Sequence, residues 1–269
     1  MDLQREALTM FALQGKFIRM SAPKFSSAVL LLIIAMLFPS CEKDHFWDFT
    51  KSYGDVVTDT RPVNGNFTEI FLNDDVNLVI TQGNAYSIKV EGGENIISGI
   101  ETSIADSVLT IRNNNKFNWV RSYEKKFTAY VTMPHLLDLR YEATGTVTNT
   151  DTIREDSLSV SATGVSGYID LVIKTGTSKL SIIYGSVDMK ISGTTGVNFI
   201  YSGSYGPFHC LDLESGFIFM RSASTNDCYV NVKHQLEYEI NGLGNIYYKG
   251  DPVLLTGSST SSGKLIKYE

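Results

Sequence analysis

Between Leu139 and Tyr248 apolar and polar positions alternate in short runs, and each run closes on a small residue. Gly145, Gly164, Ser186, Gly203, Ser224 and Gly244 serve as anchors. Six residues before them stand Leu139, Leu158, Leu180, Val197, Ile218 and Tyr238. Four before stand Tyr141, Val160, Ile182, Phe199, Met220 and Ile240. All of these are apolar or aromatic, whereas the offset positions carry mostly Arg, Glu, Ser and Asn, with Ile183, Ile200 and Phe219 as the exceptions. Alternation of period two is the signature of a strand with one face buried.

The anchors are 19, 22, 17, 21 and 20 residues apart. Twenty residues at roughly 3.3 Å each trace a loop of about 66 Å, enough for three short strands and three corners. Strand-sized pieces at that period predict stacked coils, each strand pairing in parallel with its counterpart one coil on. Parallel connections are overwhelmingly right-handed, so the expected fold is all-β, a right-handed parallel β-helix, or β-solenoid. A β-propeller blade needs about 40 residues and a β-sandwich needs no repeat in register, so both fit the spacing worse. Leu158, Leu180 and Val197 are expected to stack on neighbouring rungs, with Val160 and Phe199 pointing inward.

Upstream, FTEIFL, VNLVITQ, YSIKVE, VLTIRN and FTAYVTM alternate without the tight repeat and are separated by turn signals such as Asn73-Asp74-Asp75 and Gly92-Gly93. They read as capping strands over the open first rung. The polar segment 113–124, with Trp119 and Tyr123, reads as a long loop, and Pro134 marks entry into the regular coils.

The N-terminus carries an address. Ala28 to Phe38 is an uninterrupted apolar run behind Lys24. It suits a signal-peptide core and falls short of the roughly 20 residues of a membrane-spanning helix. Met20 is an alternative start. Cys41 follows the run where a bacterial lipoprotein carries its acylated thiol, although Phe38 and Pro39 depart from the usual box and only Ser40 conforms. The organisation expected is thus 1–40 signal peptide, 41–65 polar tether and 66–269 a single β-solenoid domain.

Composition narrows the partners. The chain holds 23 Lys and Arg against 29 Asp and Glu; removing 1–40 leaves 19 and 27, a net charge of −8. That balance argues against nucleic acid, which selects clustered positive charge. Cys210 and Cys228, about one coil apart, are either two buried thiols or a disulfide permitted by export. Without a CxxC or Cys/His pair the sequence supports no metal site, and no motif calls for a cofactor.

Catalysis on a β-helix needs convergent carboxylates or a base beside a cation. Asp188 and Asp227 are the one pair placed for it, two coils apart, against the alternative of two corner carboxylates in water. His45, His135, His209 and His234 share no triad or metal spacing. The fourteen tyrosines offer more. Among them Tyr168, Tyr201, Tyr205 and Tyr229 lie in the repeats, either as core or as an outward amphipathic platform for glycan or protein.

The closing run LEYEINGLGNIYYKGDPVLLTGSSTSSGKL, Leu236 to Leu265, resembles the end of the putative auto-transporter adhesin, head GIN domain family, with Gly242, Gly244, Tyr247, Tyr248, Gly250, Pro252, Gly257 and Gly263 in the motif's places. Phe67 to Ile96 and Val131 to Leu139 are similar to the family's N-terminal half. The resemblance implies an envelope lipoprotein or secreted protein of parallel β-helical shape, and it carries no catalytic residues to transfer.

Together these features predict a non-catalytic envelope or surface lipoprotein, an adhesin or binding module for glycan or protein, held at the outer membrane and facing the periplasm or the exterior. The alternatives are a carbohydrate-active β-helix enzyme and a purely structural envelope protein. Mass spectrometry of the mature N-terminus should find a diacylated Cys41 as first residue, and Cys41→Ser should release the protein from membranes. An unmodified terminus, or cleavage elsewhere, refutes the anchor.

Overall fold

The computed structural model describes residues 52–115, 126–163 and 165–269. The expected signal peptide, Cys41, the repeat position Gly164 and the expected loop residues Trp119 and Tyr123 lie outside the described residues. The described residues form one compact unit.

The N-terminal part comprises β1 (Val56–Arg61), β2 (Glu69–Asp74), β3 (Val76–Gln82), β4 (Ser87–Gly93), β5 (Ile100–Ala105), β6 (Val108–Asn113) and β7 (Phe127–Met133). After them come β8 (Asp138–Ala143), β9 (Thr146–Asn149), β10 (Ile153–Ala162), β11 (Val165–Ile182), β12 (Gly185–Ser202), β13 (Phe208–Ser222) and β14 (Cys228–Ile240). The last strands are β15 (Ile246–Lys249), β16 (Leu254–Ser259) and β17 (Leu265–Lys267). From β8 onward every pairing is parallel, each stretch of chain lying against the stretch one coil earlier. The fold is the expected parallel β-solenoid.

Its N-terminal end is closed by strands that abandon this rule. β2 and β3 lie as two sides of a rung between β6–β7 and β8–β9. After the edge strand β1 the chain therefore enters inside the stack, runs out to the end and returns. β1 on β4, β4 on β7 and β5 on β6 are antiparallel, which terminates the ladder. The expected cap is present. It is larger than the sequence suggested, because Val56–Arg61, assigned to the tether, is an edge strand, and Ile100–Ala105 was not recognised as one.

The core is built of columns. Leu139, Val160, Leu180, Ile200, Met220 and Tyr238 lie in register rung by rung, and the first five are buried. A second column runs Val147, Ile169, Met189, Phe208, Cys228 and Ile246. Where the chain turns its third corner, two consecutive residues face outward and inward parity switches. Thr175 and Ser178 are buried on either side of Gly176 and Thr177. Gly176, Gly196 and Gly216 stack there at a spacing of twenty. A Cβ on Gly196 would sit 2.7 Å from the Gly176 carbonyl oxygen, and one on Gly216 2.6 Å from that of Gly196. Gly193 departs further, with φ of +109°, and a side chain there would collide with the Ile173 carbonyl oxygen.

Beside this corner the interior is polar. Thr175 Oγ1 donates to Thr195 Oγ1 at 2.9 Å, and Ser178 Oγ donates to Asn198 Oδ1 at 2.9 Å. Asn198 Nδ2 in turn donates to Ser215 Oγ at 3.4 Å. All five residues are buried, and each finds a partner one rung away, so the cost of removing it from water is offset.

That ladder overturns part of the expected register. Leu158 pairs with Ser178, while Leu180 pairs with Val160 and Ile200, and Val197 pairs with Thr177 and Phe217. The named trio does not form one column. In the fourth coil the phase itself is inverted: Asn198 and Ile200 are buried, and Phe199 is 43% exposed. Ser202 pairs with Ser222, so the counterpart of the anchor Ser224 is Ser204, and Gly203 shifts the reading by one.

The two cysteines are free and buried. Cys228 pairs with Phe208 and Cys210 with Val230, so they sit diagonally on adjacent rungs. Two residues along and one rung across separates Cα atoms by about 8 Å, beyond disulfide reach without backbone movement. Burial, and secondarily the neighbouring Cys228, pushes the Cys210 thiol up to about 12. Burial also raises Cys228, while the Ser202 and Ser222 hydroxyls beside it pull the other way.

Val160→Asp should lose about 3–5 kcal/mol in urea unfolding because it buries an unpaired charge, while Phe199→Asp should stay within about 1 kcal/mol. Neither Cys210 nor Cys228 should react with a maleimide until the protein unfolds. A neutral thiol favoured by the fold is stabilising below its unfolded pKa and loses that contribution as pH rises toward its folded one. Stability should therefore fall between roughly pH 9 and 12, and Cys210→Ala should flatten that slope. An equal slope in the variant refutes the assignment.

Candidate functional site

The outer surface of the sheet formed by β8, the ends of β10 to β14, and β16 carries three outward columns. One reads Thr177, Val197, Phe217, Gln235; the next Lys179, Phe199, Phe219, Glu237; the third Ser181, Tyr201, Arg221, Glu239. Below these rungs in the chain lie Ser157, Ser159 and Ser161, and above them Leu254, Thr256 and Ser258. Alternation puts the side chains here, but their character is opposite to that of a solvated sheet. Phe199, Tyr201 and Phe217 are 43, 39 and 40% exposed.

Between the second and third columns runs an open depression of about 410 Å³. Phe199 and Phe219 form one wall with Lys179 and Glu237 at its ends, and Tyr201 and Arg221 form the other. Its floor is main chain around Leu180, Ile200 and Met220. Phe199 and Phe219 stack with centroids 5.2 Å apart and planes 17° apart. Stacking along the ladder turns the ring faces toward each other and presents their edges outward. Arg221 Nε lies 3.3 Å from Glu239 Oε2. Lys179 and Glu237 make no ion pair among the described residues.

The four tyrosines proposed as a platform do not share one face. Tyr201 belongs to the surface just described. Tyr168 is half-buried and donates to Asp170 Oδ2 at 3.1 Å, an oxygen that Lys190 Nζ also approaches at 3.1 Å. Burial, then the hydrogen bond from its hydroxyl to Asp170, raises the Tyr168 pKa. Tyr229 is stacked between His209 and Tyr247, with centroids at 5.6 and 5.0 Å, and meets the edge of Tyr268. Its ring faces are taken. Tyr205 projects from the turn before β13, 62% exposed, with its carbonyl held by Asn226.

Asp188 and Asp227 do lie in one column two rungs apart, immediately before Met189 and Cys228 with Pro207 between them. They do not converge. Asp188 Oδ1 is 3.4 Å from His209 Nε2, and Asp227 Oδ1 accepts from the Asn245 N–H at 2.8 Å. A second depression is lined by His135, Arg154, Glu155 and Lys174. Of its two carboxylates, Glu155 and Asp156, the first is structural: Glu155 accepts from the Leu136 N–H at 3.1 Å and from Gln82 Nε2 at 2.8 Å, and lies 3.3 Å from His135 Nδ1. Among the described residues no group of three or more His, Cys, Asp or Glu is placed to hold a metal ion.

Phe199 was expected inward and Phe217 was given no place, while Phe219 and Arg221 stood at offset positions without being named as part of a site. The available signal was Phe199 and Phe219 at twenty residues, the same spacing as Gly176, Gly196 and Gly216.

Several solved structures share the fold. A putative adhesin from Bacteroides fragilis is 19% identical, with a TM-score of 0.71 over 80% of this chain and 97% of its own. A putative adhesin from Parabacteroides merdae is 17% identical, with a TM-score of 0.59 over 81% and 98%. A protein from Parabacteroides distasonis described as a putative lipid binding protein is 18% identical, with a TM-score of 0.63 over 80% and 98%. No curated protein matches the sequence. The family described as "Putative auto-transporter adhesin, head GIN domain" matches residues 66–252, and this chain belongs to it.

Proposed function

We propose that the protein is a non-catalytic binding module of the cell envelope, tethered through lipid at Cys41, which contacts its ligand through the aromatic face around Phe199, Phe219 and Tyr201. The observation that carries this reading is the inverted fourth coil, where polar residues turn inward and aromatic ones outward. Exposed apolar patches of a few hundred Å² mark interaction surfaces. The geometry favours a protein over a glycan as ligand, because sugar stacking needs free ring faces and the Phe199–Phe219 pair offers mainly edges. Family membership and the adhesin-like neighbours support an envelope location.

Residues 42–269, which contain the whole compact unit, should bind a protein or glycan saturably on arrays and release no reducing ends from polysaccharides. Replacing Phe199 and Phe219 together by Asp should abolish binding while leaving the circular dichroism spectrum unchanged. Polysaccharide turnover lost in Asp188→Asn would establish the enzyme instead, and binding indifferent to both Phe substitutions would place the ligand elsewhere.

A further inference from the structure

The aromatic face is complementary to itself, and we infer that its protein partner is a second copy of this chain, packed face to face with its solenoid axis reversed. The inference rests on the binding-face reading above and names the partner.

The order of residues along the three columns carries it. The central column reads cation, ring, ring, anion: Lys179, Phe199, Phe219, Glu237. Its ends are about 14 Å apart, three rung steps of roughly 4.8 Å. A two-fold axis lying in the interface, parallel to the strands and midway between the Phe199 and Phe219 rungs, reverses rung order without changing position along the strand. Lys179 then faces the second copy's Glu237, and Phe199 faces its Phe219. The flanking columns obey the same operation. Val197 meets the second copy's Phe217 and Thr177 its Gln235, while Tyr201 meets its Arg221 and Ser181 its Glu239. One rung further out, Ser157, Ser159 and Ser161 meet Leu254, Thr256 and Ser258. No charge on this face meets its like, rings meet rings or aliphatic groups, and each Arg221 guanidinium gains a tyrosine ring.

A two-fold parallel to the solenoid axis instead sets Lys179 against Lys179 and Glu237 against Glu237. Like charges directly opposed disfavour it. An isologous contact needs a surface that is its own complement, and of these two arrangements the reversed one makes this face so. Three columns about 7 Å apart on six rungs of roughly 4.8 Å span about 600 Å², less than the roughly 800 Å² per partner of a stable complex, so association in the micromolar range is expected, strengthened when many copies are held on a surface. Reversal places the two N-terminal caps at opposite ends of the pair. Copies carried on two surfaces that face one another can meet this way.

Sedimentation of residues 42–269 at low salt tests the pairing. The wild type should dimerise reversibly. Lys179→Glu should weaken the dimer by roughly tenfold or more, because two carboxylates then oppose each other twice in the pair, and Glu237→Lys should do the same with two ammonium groups. The double variant K179E/E237K should recover wild-type association, and the two single variants should pair with each other when mixed. A dimer indifferent to both single substitutions, or one that the double variant does not restore, overturns the inference. So does a wild-type monomer at concentrations well above micromolar. If that monomer still binds another protein or a glycan through Phe199 and Phe219, the binding-face reading stands and only the second copy is excluded.

Discussion

In-register parallel pairing between successive coils is the constraint on which the rest depends. Because each stretch hydrogen-bonds to the stretch one coil before, every side chain sits about 4.8 Å above its counterpart and the only near neighbour that repeats is itself. Gly176, Gly196 and Gly216 follow from this, since each alpha carbon lies over the carbonyl of the glycine beneath it or, for the first, over that of Asp156. The same rule makes a buried hydroxyl tolerable. Ser178 and Thr195 can be interior only because Asn198 and Thr175 stand one rung away to receive or supply the hydrogen bond. A single polar residue at such a corner would be left unpaired, so substitution there has to occur in columns.

Outside the coil the rule works identically and without regard to burial. It lays Phe199 on Phe219 and Tyr229 on His209 and Tyr247. Stacks of this kind occupy ring faces, and so decide which aromatics remain available to a ligand. Tyr229 belongs to the architecture of its face, and Tyr168 to a charge cluster with Asp170 and Lys190. Phe199, Phe217 and Tyr201 have no such closure on their outward side.

Strand alternation, coil length and the N-terminal cap were legible because each depends on local pattern: a buried apolar residue every second position, a small residue at a corner, a turn signal between strands. Register was not. Leu139, Leu180 and Tyr238 do share a column as the alternation implied, but Leu158 and Ile218 are displaced by two residues along the strand, and the fourth coil is out of phase by one residue. Pattern reading assumes that apolar means inward. Asn198 and Ser202 violate it from inside, satisfied by neighbours or set beside a thiol, and Phe199 and Tyr201 violate it from outside. Edge strand β1 was missed for a related reason: VVTDTR is largely polar because one side of it faces water, and antiparallel pairing with β4 rather than a buried face defines it.

The failure of hydrophobic phase and the candidate site therefore coincide at the same coil, and the coincidence has a physical basis. A chain that puts Asn and Ser in its core gives up burial of apolar surface there and depends on a hydrogen-bond ladder instead, worth about 1 kcal/mol per bond. Turning Phe199, Phe217 and Tyr201 outward on the same rungs leaves apolar area in water that the fold could have buried, at roughly 25 cal/mol for each Å². Neither choice stabilises the isolated solenoid, and other coils with Leu158, Ile218 or Leu236 buried in the Asn198 column show that the backbone accepts the ordinary arrangement. Local rules are broken together where something other than folding is served. The stabilisation withheld from the monomer becomes available when the face is covered, which ties the sequence's departure from its own repeat to the contact that the exposed rings are arranged to make.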